Sequence, residues 1–408
     1  MTPAVVVNAD SVMALAIVRS LGRRRVPVIG LFRRASGFRP GRALVRASRY
    51  LESSADFDGP DYEAALLEGL LRVARQERDR PVLFPVSDRD MIAISRARAE
   101  LAPHFRLLLP PHSTLDVLLG KERFARLAEC EGLPVPRTFP VESLADAELA
   151  LDRSDLPCVI KPSWRDGAWH RAYGDEKLLH ASSREELHAR LEEALRLTPR
   201  LVVQERLGGP ESDIVCSFAY LDETGRPLAL AACRKLRQHP PGFGNTALAE
   251  SIDAPEVERL ARDVYAKLGL VGYASIEWKR DPADGQLKIL EITPARLNRQ
   301  SGVAELGGAD LPWIWYRHLT CARPETSAAR PGLRWASELN ELRALPAYRR
   351  EGVWSLAAWL ASLRRVRRFE ILARDDPAPA LALPLLALRH LARRRLARLL
   401  RPGETARG

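Results

Sequence analysis

Two glutamates, Glu277 and Glu291, flank a five-residue turn in GYASIEWKRDPADGQLKILEITPARLNRQ, and few backbone arrangements satisfy that pattern. Tyr273 to Arg280 is rich in β-branched and aromatic residues, Asp281 to Gly285 has turn chemistry, and Gln286 to Ile292 is strand-like again, so the segment reads as a β-hairpin. Pairing Arg280 with Gln286 sets Glu277 against Ile289 and Ser275 against Glu291. Both carboxylates then share one face in a diagonal relationship, with Cβ atoms roughly 7 Å apart. The opposite face carries Ala274, Ile276, Trp278, Leu290 and Ile292, the apolar set a core requires. Paired carboxylates on a rigid hairpin are hard oxygen ligands of the kind Mg²⁺ takes, one or two at a time beside substrate phosphates. A solvated strand face with two ordinary glutamates has the same pattern, and a four-residue turn would move Glu291 to the other face.

Upstream, PCVIKPSW at 157 to 164 is a short apolar strand ending in Lys161 and Pro162, and LVVQERLGGPESDIV at 201 to 215 is another strand running into a glycine-containing bend. An ATP site built without a Walker loop needs lysines for phosphates, a backbone hinge for adenine, a carboxylate for ribose hydroxyls and carboxylates for a metal. All four occur here in that order. The Walker loop itself is missing: residues 115 to 122 read LDVLLGKE, with no leading glycine and no Ser or Thr after Lys121. Gly242-Phe243-Gly244 is only half a dinucleotide fingerprint, and no helix signature follows it.

This order and these residues resemble the ATP-grasp superfamily, and more closely its carboxylate-amine ligase branch. GKERFARLAECEGLPVPRT, CVIKPSW, VVQERLGGPES, SIEWK and LEITPARLNRQSG carry the resemblance, which spans roughly residues 110 to 320. It implies that Lys121 and Lys161 contact ATP phosphates and that Gln204, Glu205, Arg206 and Leu207 form the adenine hinge. Glu211 would hold the ribose, and Glu277 and Glu291 would bind Mg²⁺, with Mn²⁺ as a substitute. Most members of the superfamily carry Glu-x-Asn in the last motif, whereas this chain reads Glu291-Ile292-Thr293. Asn298 then stands as a candidate third metal ligand, with Thr293 as the other.

Arg296 and Arg299 follow within a few residues, placed to neutralise a phosphoryl group or a substrate carboxylate, a task that suits guanidinium forks. Surface arginines of an arginine-rich chain read the same way. By resemblance, SWRDGAWHRAYG after Pro162 is the flexible phosphate loop. Its glycines, with Trp164 and Trp169, suit either a loop that closes over a nucleotide or an irregular loop of packed tryptophans. RKLRQHPPGFGNTALAES, from Arg234 to Ser251, opens with Arg234, Lys235 and Arg237. The last two are expected on one strand face, where Lys235 would meet an acidic substrate or an acyl phosphate; a solvated cationic strand fits equally. His239 is a proton carrier or, beside Pro240, a structural residue.

The first hundred residues alternate in a βαβ manner: strand Ala4 to Asn8, helix Ser11 to Leu21, strand Val26 to Phe32, and later PVLFPVSD at 81 to 88 feeding a helix near Asp90. This predicts a small parallel sheet. Asn8, Asp10, Ser87 and Asp88 fall at the carboxyl ends of its strands, where they bind ligand or cap helices. The expected fold is α/β with an α+β grasp: an N-terminal Rossmann-like parallel-sheet domain over 1–112, an ATP-grasp domain over 113–325 and a helical basic C-terminal extension over 326–408. The first boundary falls at Leu109-Pro110-Pro111, with Ser113 opening the next helix. In the extension, residues 385 to 401 read LLALRHLARRRLARLLR, a leucine stripe among six arginines. Such a helix packs its leucines on the preceding domain or makes peripheral contact with anionic lipid.

The net charge is +11, and residues 1 to 50 hold ten arginines against one acid, Asp10. No DNA- or RNA-reading motif accompanies that charge, so nucleic acid is not an expected partner. The five cysteines lack zinc or redox spacing and point to a reducing compartment. With no signal-like N-terminus and no apolar run of about 20 residues, the expectation is a cytoplasmic, ATP-dependent, ADP-forming ligase. It would join a small-molecule carboxylate to an amine through an acyl phosphate. The alternative is a catalytically silent nucleotide-binding protein acting as a basic scaffold at a membrane surface or on nucleic acid.

Overall fold

The computed structural model describes residues 1–34, 39–164, 167–174, 176–322, 330–382 and 384. The chain divides into two compact units, one of Met1–Leu107 with Phe369–Gly408 and one of Leu108–Arg368.

In the first unit four parallel strands, β1 (Ala4–Val7), β2 (Val28–Arg33), β3 (Ser53–Phe57) and β4 (Val82–Phe84), run in the order β3-β2-β1-β4. β1 and β4 are buried at every position, as the continuous apolar runs of a parallel sheet are. Ser11 caps the helix Val12–Gly22, and Ser87 forms a reciprocal capping box with Asp90 on the helix Asp88–Arg96. That helix starts two residues before the expected Asp90. Asp10 is instead held by Arg42, through Nε at 2.8 Å and Nη2 at 3.2 Å, and Asn8 takes left-handed backbone at φ 50°.

Residues from Phe369 return to this unit. Arg19 is buried and donates through Nε to Asp376 Oδ2 at 2.9 Å and through Nη2 to the Ile371 and Asp376 carbonyls at 2.8 and 3.0 Å. Ser48 Oγ and the Arg49 N–H donate to the same carboxylate at 2.7 and 3.0 Å. The basic helix expected over 385 to 401 lies outside the described residues.

The second unit holds two sheets. The smaller is antiparallel, with β5 (Thr138–Val141), β6 (Cys158–Pro162), β7 (Leu179–Ala181) and β8 (Leu201–Glu205) in the order β5-β8-β6-β7. Cys158, Ile160, Leu201 and Val203 pack with Trp169 and with apolar residues of the helices Leu144–Arg153 and Arg184–Leu197. Strand alternation therefore turns Lys161 and Gln204 to the other face.

The larger sheet comprises β9 (Ile214–Leu221), β10 (Pro227–His239), β11 (Asn245–Ile252), β12 (Gly272–Arg280), β13 (Leu287–Pro294), β14 (Arg334–Ala336) and β15 (Val366–Phe369), in the order β13-β12-β9-β10-β11-β14-β15. β14 and β15 come from the stretch expected to form the helical extension, with the helices Glu338–Arg350 and Leu356–Leu363 between them. On the hairpin, Ala274, Ile276, Trp278, Ile289 and Ile292 pack against Val257, Ala261, Val264 and Tyr265 of the helix Pro255–Lys267. At about 1.5–3 kcal/mol for each large apolar side chain buried, this face is committed to the core.

The hairpin register differs from the sequence expectation. Arg280 pairs with Leu287, because the Asp281 N–H closes on the Gln286 carbonyl at 2.8 Å and lengthens the turn by one residue. That slip alone would swing Glu291 into the core. A β-bulge between Glu277 and Trp278 absorbs Leu290, so Glu277 faces Glu291 directly rather than diagonally. Ile289, not Leu290, fills the core, and Leu290 is half-buried.

Candidate active site

The polar face of the hairpin begins with Glu277 and Glu291, whose directly opposed positions stand about 4.5–5.5 Å apart at Cβ. Ser275 and Thr293 form the next pair on the same face. Across the sheet, Glu277 pairs with Cys216 of β9, Cys216 with Cys233 of β10, and Lys235 lies two residues further on. Its Nζ reaches Glu277 Oε2 at 2.6 Å. Burial alone would lower the Lys235 pKa, but Glu277, supported by Cys216 and Glu291, outweighs it and the net shift is upward. The lysine is therefore a firm cation.

Like charges set directly opposite one another repel. Lys235 offsets one carboxylate, while among the described residues no hydrogen bond or ion pair reaches Glu291. Two hard oxygen donors with charge left uncompensated fit a divalent cation that brings phosphate or water oxygens of its own. No group of three or more His, Cys, Asp or Glu side chains that could hold a metal ion occurs among the described residues.

From the small sheet, Lys161 Nζ donates to Gln204 Oε1 at 2.6 Å, and Gln204 Nε2 donates to Thr138 Oγ1 at 2.8 Å. Lys121 opens the helix Lys121–Cys130 and donates to the Ser163 carbonyl at 3.2 Å. Burial, then the Lys121 charge, brings the Lys161 pKa down to about 8 against the pull of Glu291 and Glu277. Lys161 thus lies within the fields of Lys121, Glu291 and Glu277.

The expected hinge is pinned through the two backbone amides at its middle. The Glu205 N–H donates to the Arg137 carbonyl at 2.9 Å, and the Arg206 N–H to the Pro157 carbonyl at 3.2 Å. The Arg206 guanidinium lies 5.7 Å from the Phe243 ring centre. Leu207 is buried, and its carbonyl accepts from Lys279 Nζ at 3.1 Å. Lys279 went unnoticed in the sequence, although it lies two residues from Glu277 and alternation puts it on the same face. Both oxygens of Glu211 are engaged, Oε1 by the Gly242 N–H and Oε2 by the Tyr348 hydroxyl.

The shared face expected of Lys235 and Arg237 does not hold. The register slips at Leu236, and the buried Arg237 turns to Glu341 with Nη2–Oε2 at 2.7 Å and to Ser362 Oγ at 2.9 Å. Asn298 sits beside the site face, with Nδ2 donating to Ser275 Oγ at 2.8 Å while Oδ1 accepts from Tyr273 at 3.2 Å and Ser301 at 2.8 Å. Arg299 donates to Ser337 Oγ at 3.2 Å, and Arg296 to the Leu297 carbonyl at 3.4 Å. Burial, with Arg343 nearby, lowers the His239 pKa, and its buried Nδ1 has no hydrogen-bond partner among the described residues. Trp169 is a core residue on the helix Gly167–Tyr173, whereas Trp164 is exposed; residues 165, 166 and 175 lie outside the described residues.

No family model matches the chain. D-aspartate ligase from Enterococcus faecium is 25% identical over 266 residues, which is 62% of this chain and 63% of that protein. The match therefore spans less than two thirds of that relative's length. Among solved structures, the biotin carboxylase domain of Hydrogenobacter thermophilus 2-oxoglutarate carboxylase, in complex with MgADP, ADP and bicarbonate, superposes with a TM-score of 0.61 at 14% identity, over 82% of this chain and 73% of that one. An L-amino acid ligase from Bacillus licheniformis gives 0.57 at 16% identity, over 82% and 78%. At these identities the structural likeness is one of fold. Relatives and structural neighbours alike are ATP-grasp proteins, so the resemblance read from the motifs stands in sequence and in architecture.

Proposed function

We propose, from the premise that the chain resembles ATP-grasp carboxylate-amine ligases in both sequence and fold, that it joins a carboxylate to an amine with conversion of ATP to ADP. A carboxylate oxygen attacks the γ-phosphorus, the bond to the β-phosphate oxygen breaks and ADP leaves. An amine then attacks the acyl carbon, loses a proton and expels phosphate. The observation that carries this reading is the opposed pair Glu277 and Glu291, set on a rigid hairpin and within the field of Lys161.

Glu277 and Glu291 would hold Mg²⁺, which supplies charge neutralisation at the phosphates. Lys121 and Lys161 would contact those phosphates, Gln204 to Leu207 would flank adenine and Glu211 would take the ribose hydroxyls. Asn298 Oδ1 already accepts two hydrogen bonds, so the remaining metal sites fall to water and phosphate oxygens. Lys235 would meet an anion beside Glu277, and Arg296 and Arg299 would bind the substrate carboxylate. Phosphoryl transfer leaves little covalent chemistry for protein side chains, so alignment and charge carry the rate. The relatives' names, D-aspartate ligase and L-amino acid ligase, favour an amino acid as a substrate.

Incubation with Mg-ATP and pooled amino acids, following ADP and phosphate, tests the reading. Release is expected only when an amino acid is present. Glu291→Gln should fold normally and lose nearly all turnover; an unchanged rate in that variant would sink the metal assignment.

A further inference from the structure

Tyr348 stands on the helix Glu338–Arg350, 137 residues from Glu211. Its hydroxyl accepts the Gln238 N–H at 3.0 Å and has two acceptors in reach, Glu211 Oε2 and the Gln238 carbonyl at 3.2 Å. A hydroxyl has one proton to give, and the carboxylate contact is the shorter. Seven residues earlier on the same helix, Glu341 binds Arg237 of β10 and accepts from Trp359 Nε1 at 2.7 Å. Positions seven apart share a helix face, so the helix is fastened to the end of β10 at two points and Tyr348 has little freedom.

A carboxylate offers about four lone-pair positions. On Glu211 one position of each oxygen is taken by a protein donor, Gly242 N–H on Oε1 and Tyr348 on Oε2. One acceptor position then remains on each oxygen, and two neighbouring hydroxyls are their complement. We propose that Tyr348 is a positioning residue for the sugar of a bound nucleotide: by fixing the Glu211 carboxylate against the Pro240–Gly244 loop, it sets how strongly a ribose diol is read. This rests on the nucleotide site proposed above.

Calorimetric titration of the full chain, Tyr348→Phe, Glu211→Ala and the double variant with Mg-ATP and Mg-3′-deoxyATP tests it. The unaltered chain should prefer ATP by at least about tenfold, the size of a hydrogen bond to a charged group. Tyr348→Phe should keep its affinity for 3′-deoxyATP within about twofold and lose most of the preference, as Glu211→Ala does. In the Glu211→Ala background, adding Tyr348→Phe should change neither affinity, because the two act as one unit. A further loss there would reveal damage to the fold and count against the positioning role. A Tyr348→Phe protein that retains the full preference overturns the proposal and leaves the nucleotide site standing. An unaltered chain that binds neither nucleotide, or does not distinguish them, overturns the ribose role of Glu211 and the proposal with it.

Discussion

At Lys161, burial and the neighbouring Lys121 act against charge, Glu291 and Glu277 act for it, and the balance falls at a pKa of about 8. The charged fraction therefore declines as pH rises through that value, and Mg-ATP affinity should begin to weaken above it. Lys161→Arg should flatten that part of the titration curve, since a guanidinium does not lose its proton there. Lys161→Ala should weaken binding by about 1.5–3 kcal/mol at pH 7; equal affinities in calorimetry would make the lysine structural. Stability moves the other way. Between about 8 and the ordinary lysine value of 10.5 the unfolded chain binds more protons than the folded one, so folding stability should rise with pH across that window. The two glutamates were legible in the sequence because strand alternation separates a polar face from an apolar one, and Lys161 and Gln204 through the motifs CVIKPSW and VVQERLGGPES that carry the resemblance. Lys279 obeyed the same alternation and was overlooked. Tyr348 left no trace, because a tyrosine on a helix acquires its meaning only from a strand end more than a hundred residues away.

Among the elements, the hairpin was predictable in kind and misjudged in detail. Asp281 to Gln286 reads DPADGQ, a run of turn residues with no strand former, so nothing in it marks where pairing resumes, and Leu290 is as apolar as Ile289 although one is absorbed in a bulge and the other fills the core. Leu236 misled in the same way by parting Lys235 from Arg237. Both misses have one cause: a bulge breaks the period of two without changing residue chemistry. β14 and β15, three and four residues long, are too short to show a period at all. The helix Glu338–Arg350 is tied to β10 by an ion pair with both side chains almost wholly buried. Glu341→Ala would strand the Arg237 guanidinium in the interior, and denaturant melts should show a loss of about 3–5 kcal/mol. A loss below about 1 kcal/mol, the range of exposed pairs, would mean that water reaches the arginine.

Across the whole molecule, the parallel sheet of the first unit followed from segment patterns, whereas the division of the second unit into two sheets appears only in the structure. The return of residues from Phe369 onward to the first unit did not follow from them either, because it depends on long-range partnerships, foremost that of Arg19 with Asp376, joined by Ser48 with Asp376 and Arg23 with Asp375. Among the described residues no helix is long and apolar enough to cross a membrane. Asp376→Ala should destabilise the first unit by about 3–5 kcal/mol, since Arg19 would stay buried without its counterion. Hydrogen exchange should report that loss on β1 and on the helix Val12–Gly22, and protection there equal to the unaltered chain's would refute it. The partnership also bears on how the protein is made. Arg19 and Asp376 are 357 residues apart, and at about 5–20 residues per second a ribosome needs roughly 20 to 70 s to travel between them. Through that interval the nascent sheet holds an arginine whose carboxylate has not yet been translated, so the part of the chain that emerges first is among the last to be complete.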